Sequence, residues 1–139
     1  DQADMDGDTI GDACDVVESP GTGTPGYWKN HAEAWPVNEI VIGGVTYSKE
    51  QAIGWINAKD GDKTVTMFRS LVSAKLNVLI GNDSSCVASV IAAADQWLAT
   101  YGPVGSKVKA NTDAWKAGEP LYQTLDAYNN GLLCAAHRG

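Results

Sequence analysis

The chain has 139 residues, with 17 acidic and 10 basic side chains and a formal net charge of −7 at pH 7. Its length allows one domain with a buried core plus an appendage, and no apolar run approaches the ~20 residues of a membrane-spanning helix. Seven of the acids (Asp1, Asp4, Asp6, Asp8, Asp12, Asp15, Glu18) fall in residues 1–18 with no base among them. Residues 19–139 therefore carry ten of each sign and are formally neutral, which leaves no basic face for nucleic acid.

In chain order, the first element is DQADMDGDTIGDACD, residues 1–15. Asp4, Asp6, Asp8, Asp12 and Asp15 stand at positions 1, 3, 5, 9 and 12 of a twelve-residue loop. The carbonyl of Ile10 falls at position 7. A short turning backbone with oxygens at that spacing surrounds one hard cation, and Ca2+, which takes six to eight oxygens, fits it best. Thr9 occupies position 6, where glycine normally makes the sharp turn, so an altered geometry or a weaker affinity is expected. The competing reading is an acidic, solvated tail. One bound calcium would bring the net charge from −7 to −5.

Residues 16–26, VVESPGTGTPG, are rich in Gly, Pro and Thr and read as an extended linker. GYWKNHAEAWP (26–36) reads as a short helix closed by Pro36, and EIVIGGVTYS as a hairpin turning at Gly43-Gly44. Ser48 with Gln51 forms a capping box for a helix to about Asn57, and 59–62 is a turn. Phe68, Leu71, Val72, Leu76 and Leu79 keep helical spacing to a stop at Gly81. Asn82-Asp83-Ser84 is expected to cap a helix carrying Val87, Val90, Ile91, Ala94, Trp97 and Leu98, ending at Gly102-Pro103. Weaker helical stretches cover Lys107–Ala117 and Leu121–Tyr128, separated by Gly118-Glu119-Pro120. The fold expected is mainly α: a small helical domain over residues 27–139 with one short β-hairpin, preceded by an irregular calcium-binding loop over 1–15.

Two resemblances follow from these residues. DQADMDGDTIGDACD resembles a thrombospondin type 3 repeat, whose pattern runs DxDxDGxGDxCD after a DQ pair. That likeness implies calcium binding, with Asp1 helping to hold a second ion. Such repeats normally pack in arrays, whereas here one unit stands alone. TPGYWKNHAEAWP, with IGGVTYSKEQAI, FRSLVSAKLNVL, ADQWLA and YNNGLLCAAHR, resembles a domain of secreted bacterial and archaeal proteins bearing a GYWKNHPEAWP-like signature. The resemblance implies secretion and modular use rather than an activity. Relatives often carry a cysteine shortly before the TPGYWK phrase, where this chain reads GTGTPG.

The chemistry-bearing residues point away from catalysis. No GxSxG, HExxH or P-loop occurs, and no Cys/His spacing suits zinc. His31, among Tyr27, Trp28 and Trp35, reads as a packed, hydrogen-bonded histidine. Cys134, three residues before His137, reads as a half-cystine. Asp60 and Asp62 read as a turn and a helix cap. No catalytic residue is assigned and the chain is read as a non-enzyme, with a paired-carboxylate hydrolase as an alternative. A second alternative is a carbohydrate-binding or adhesion module for extracellular polysaccharide, with Tyr27, Trp28 and Trp115 as a stacking platform.

Three cysteines allow three pairings. A Cys86–Cys134 bridge is expected because both lie in the body, leaving Cys14 spare. The chain begins at Asp1 rather than Met, which reads as a mature or trimmed product. Abundant calcium and an oxidising setting place it outside the cell or at its surface. The function expected is an extracellular calcium-binding structural protein that assembles with copies of itself, as a filament or surface subunit.

Overall fold

The computed structural model describes residues 21–58 and 61–136. Their elements run α1 (Pro25–Asn30), a 3-10 turn (Ala32–Ala34), β1 (Glu39–Ile42), β2 (Val45–Ser48), α2 (Lys49–Ile56), α3 (Lys63–Leu79), α4 (Ala88–Tyr101) and α5 (Asp113–Asn129). The fold is mainly helical with one antiparallel hairpin, as the residue pattern predicts. No described helix is long and apolar enough to cross a membrane.

Helix α3 is the central element, in contact with α1, α2, α4, α5 and β1. Its Val65, Met67, Phe68, Leu71, Val72, Ala74 and Leu76 are all buried. A helix buried on so much of its circumference is stable only with neighbours on most of its sides. The Asp62 carboxylate accepts from the Thr64 N–H at 3.0 Å and caps its start. Beyond Ile80 the chain turns at Gly81, whose φ of 110° suits glycine. The apolar stripe runs one residue short of expectation, since Leu79 is 53% exposed.

The hairpin matches its reading. Gly43 and Gly44 both take positive φ, 59° and 82°, as a two-residue turn of the I′ kind requires. Ile40 pairs with Tyr47 across the ladder, and both are buried against the helices together with Ile42. The Ser48/Gln51 capping box is present, and α2 ends at Ile56 with Asn57 as its cap.

Four local readings change. The 26–36 helix is broken in two at His31, with the 3-10 turn following it. Asn82-Asp83-Ser84 does not cap α4. That helix starts after Val87 with no side-chain cap, and the amides of Val87 and Ala88 donate to the Ser84 carbonyl. Residues 107–111 are not helical, because the Lys107 and Val108 amides turn toward the Asp62 carboxylate.

The fourth change is Pro120, which lies inside a single seventeen-residue helix instead of separating two. A mid-helix proline costs about 3 kcal/mol. Both halves of α5 outweigh that cost by burying Trp115, Gly118, Leu125 and Tyr128. Pro120 itself is exposed, on the side of α5 away from the core. Gly118 permits the close approach: a Cβ there would fall 2.7 Å from the Trp97 indole.

Helices α3 and α5 run in the same direction. Near their starts, Lys63 lies 5.6 Å from the Trp115 ring centroid, and near their ends Asn77 bonds Asn129. Helix α4 runs against them, bringing Trp97 to the start of α5 through a 2.8 Å bond from its Nε1 to the Ala114 carbonyl.

Candidate functional site

The expected calcium ligands Asp4, Asp6, Asp8, Ile10, Asp12 and Asp15 lie outside the described residues, as do Asp1, Cys14, Asp60 and His137. Among the described residues, no group of three or more His, Cys, Asp or Glu side chains converges as a metal site would require. What the structure does define is the place where the chain following the acidic segment enters the body.

That place is built by three asparagines. Residues 21–23 are buried beside the C-terminal ends of α3 and α5. Asn77, on the last full turn of α3, accepts from the Gly23 N–H at 2.8 Å and donates to the Gly23 carbonyl at 2.9 Å. Asn82, just past the end of α3, does the same for Gly21 at 3.0 Å each way. Each primary amide thus imitates one residue of a neighbouring strand. On the other side of the segment, the Thr22 N–H donates to the Ala136 carbonyl at 2.9 Å, and its hydroxyl donates to the Asn129 carbonyl at 3.0 Å. The linker's described part, from Gly21 on, is therefore fixed in the body.

The clamp is satisfied throughout. Asn77 Oδ1 also accepts from the Trp28 indole at 3.2 Å, and its Nδ2 also donates to Asn129 Oδ1 at 2.9 Å. Asn129 Nδ2 donates to the Ser70 carbonyl at 3.0 Å, and Asn82 Nδ2 to the Asn77 carbonyl at 3.0 Å. Buried amides are stable only when their donors and acceptors are filled in this way. Glycine is required at both gripped positions. Gly21 has φ 96°, and a Cβ on Gly23 would lie 2.6 Å from the Tyr27 ring. Sequence reading missed the clamp. The sequence pattern reads Asn82 as a helix cap and gives Asn77, beside the Leu76 stripe, no role; the only signal of the clamp is amides placed at a helix end.

A disulfide closes the same end of the molecule. Cys86 and Cys134 are bonded, as expected, tying the turn before α4 to the segment after α5. Tyr128, the last buried ring of α5, donates to the Asp83 carbonyl at 2.7 Å in the same turn. Burial raises the Tyr128 hydroxyl pKa, and the charge of Asp83 adds to that rise. Cys134 is therefore a half-cystine and holds no thiolate for catalysis.

The other candidate groups are taken up structurally. Trp28 is fully buried and Trp115 is 4% exposed, so two of the three platform rings present no open face. Tyr27 stacks on His31 with centroids 4.4 Å apart, but His31 is exposed rather than packed, because its Nδ1 turns outward to lie 3.1 Å from the exposed Glu33 carboxylate. Asp95 pairs with Lys75 at 2.6 Å and accepts from the Gly43 N–H at 2.8 Å. Asp62 accepts from the Thr64 hydroxyl at 2.6 Å, the Lys107 N–H at 3.0 Å and the Val108 N–H at 3.2 Å. Partial burial pushes its pKa up, but the Thr64 hydroxyl and the Lys107, Thr64 and Val108 amides together outweigh that and hold it below the usual carboxylate value.

No family model, curated protein or solved structure matches the chain.

Proposed function

We propose that this chain is an extracellular calcium-binding structural protein that assembles with copies of itself and performs no catalysis. The observation that carries the reading is the 1-3-5-9-12 placement of Asp4, Asp6, Asp8, Asp12 and Asp15, with Ile10 supplying its carbonyl. Supporting it, the segment after those aspartates is anchored in the body by Asn77 and Asn82, a fixed base from which a neighbouring element can be presented. A spare Cys14 fits a segment whose partner lies elsewhere.

Calcium titration of the chelator-treated full chain by calorimetry tests the ligand set. Binding at or below millimolar levels, strongly weakened by Asp6→Ala, is expected, and no heat at millimolar calcium refutes it. Light scattering of the same protein with calcium and with chelator tests assembly. Removing residues 1–18 should abolish the polymer and leave a folded body, whereas a calcium loop folded back on its own chain would instead leave a destabilised monomer.

A further inference from the structure

The segment after α5, residues 132–136, is held to the body by few groups. Leu132 and Leu133 are 73% and 42% exposed, and Ala135 is the one buried side chain among the five. The Leu132 N–H donates back to the Ala127 carbonyl of α5 at 3.0 Å. Among the described residues, the segment's polar and covalent ties to the rest of the body then fall at two places. One is the Cys86–Cys134 bridge, where the Cys134 N–H also lies 3.1 Å from Cys86 Sγ. The other is the Ala136 carbonyl, which accepts from the Thr22 N–H at 2.9 Å. Only Ala135 separates these two ties, so whatever holds Cys134 also sets where the Ala136 carbonyl can lie. The bridge itself is open to solvent, with Cys86 exposed and Cys134 half-buried.

We infer that the Cys86–Cys134 bridge is a redox latch on residues 21–23: its reduction by a dithiol in solution loosens residues 132–136 and releases the Thr22 amide, while the asparagine clamp stays closed. A thiolate of the reductant attacks Sγ of Cys86, the more accessible sulfur; the S–S bond breaks and Cys134 leaves as a thiolate that takes up a proton. The reductant's second thiol then attacks the mixed disulfide, frees Cys86 as a thiol and departs as a cyclic disulfide. Two electrons pass to the protein, and the reductant's two thiol protons end on its cysteines. Once the bridge is open, Cys134 keeps only a weak S–H bond to the Asp83 carbonyl, 3.4 Å from its sulfur. The apolar surface buried by the segment, chiefly Ala135, is small against a backbone ordering cost of about 1–2 kcal/mol per residue. The clamp does not depend on this segment. Asn82 and Asn77 grip Gly21 and Gly23 from the end of α3, and the Thr22 hydroxyl bonds the Asn129 carbonyl at the end of α5. Reduction thus removes the Thr22–Ala136 bond and keeps the asparagine bonds, a graded loosening where the chain enters the body. The inference is independent of the calcium and assembly reading and stands or fails without it.

The test compares full-length, 15N-labelled Cys14→Ser protein by NMR with and without dithiothreitol. That substitution leaves the body's bridge as the single cysteine pair, and alkylation confirms two free thiols in the reduced sample. On reduction, the amide order parameters of residues 133–136 should fall from about 0.85 to below about 0.6. The Thr22 amide resonance should move toward the position of a water-bonded amide, while the Gly23 amide and the amides of α3 keep theirs. Order parameters that stay at the folded value, with Thr22 unmoved in fully reduced protein, overturn the inference. A bridge that yields to dithiothreitol only in denaturant overturns it as well. Reduction that collapses the whole spectrum does the same, because the bridge would then hold the fold and not a latch.

Discussion

The two ends of the body pin their loops with different chemistry. At one end, the neutral side-chain amides of Asn77 and Asn82, with the backbone carbonyl of Asn129, hold residues 21–23 in a buried setting. At the other, a single carboxylate, Asp62, holds Lys107 and Val108 near the surface and caps α3 at the same time. The difference follows from burial. A charge taken fully out of water needs a partner charge or several donors, whereas a primary amide supplies both donors and acceptors and carries no desolvated charge. The amide end is therefore expected to be insensitive to pH and the carboxylate end to depend on it.

The largest expected effect is at the amide end. Replacing Cys86 and Cys134 by serine opens a loop with a sequence separation of 48, which in the chain-entropy model costs about 4 kcal/mol. Denaturant unfolding checks this, and a loss under about 1 kcal/mol would mean the C-terminal segment is held mainly by its other contacts. Asn77→Ala should follow at about 3 kcal/mol, because it leaves the Gly23 amide and carbonyl, the Trp28 indole and Asn129 Oδ1 without their partner. Asn77→Asp sharpens the contrast, since it introduces a carboxylate that cannot donate to the Gly23 carbonyl. It should be destabilised at neutral pH and regain part of the loss in acid, where the protonated form offers one donor.

At the carboxylate end, Asp62→Ala should cost about 1–2 kcal/mol through the lost cap. It should also raise hydrogen exchange at Lys107 and Val108 without changing exchange at Gly21 and Gly23. The smallest effect is the response to acid. The folded-state pKa of Asp62 lies below its unfolded value, so its contribution is complete above the unfolded pKa and is lost as pH falls through the folded one. Titrated by NMR from pH 7 downward, the Lys107 and Val108 amide shifts should move in that acidic window while those of Gly21 and Gly23 stay fixed. Parallel movement of both pairs would erase the distinction between the two ends.

Much of the helical body is legible in the sequence. The hairpin at Gly43-Gly44, the Ser48/Gln51 box and the stop at Gly81 are local, because turn geometry, capping and positive φ depend on residues within a few positions of one another. The Cys86–Cys134 bridge was legible by a different route, the exclusion of Cys14 from the body. The calcium-ligand reading of Asp4, Asp6, Asp8, Ile10, Asp12 and Asp15 also comes from sequence alone, because loop coordination depends on spacing within twelve residues.

The rest depended on distant partners. Pro120 and Gly118 look like a break to any local rule, and only the Trp97 indole and the burial on both sides make one continuous helix of α5. The Gly21–Gly26 stretch reads as a tether by composition, yet its first three residues are held by the side-chain amides of Asn77 and Asn82, 54 and 61 positions away, and by the Asn129 carbonyl, 107 positions away. Trp28 and Trp115 could have faced solvent or core with equal local justification, and tertiary packing buried them. Composition and short spacing determined the elements and the candidate ion ligands of this protein. Which polar groups became buried clamps was decided only in the tertiary structure, because an amide's cost or benefit depends on whether the fold brings it a partner.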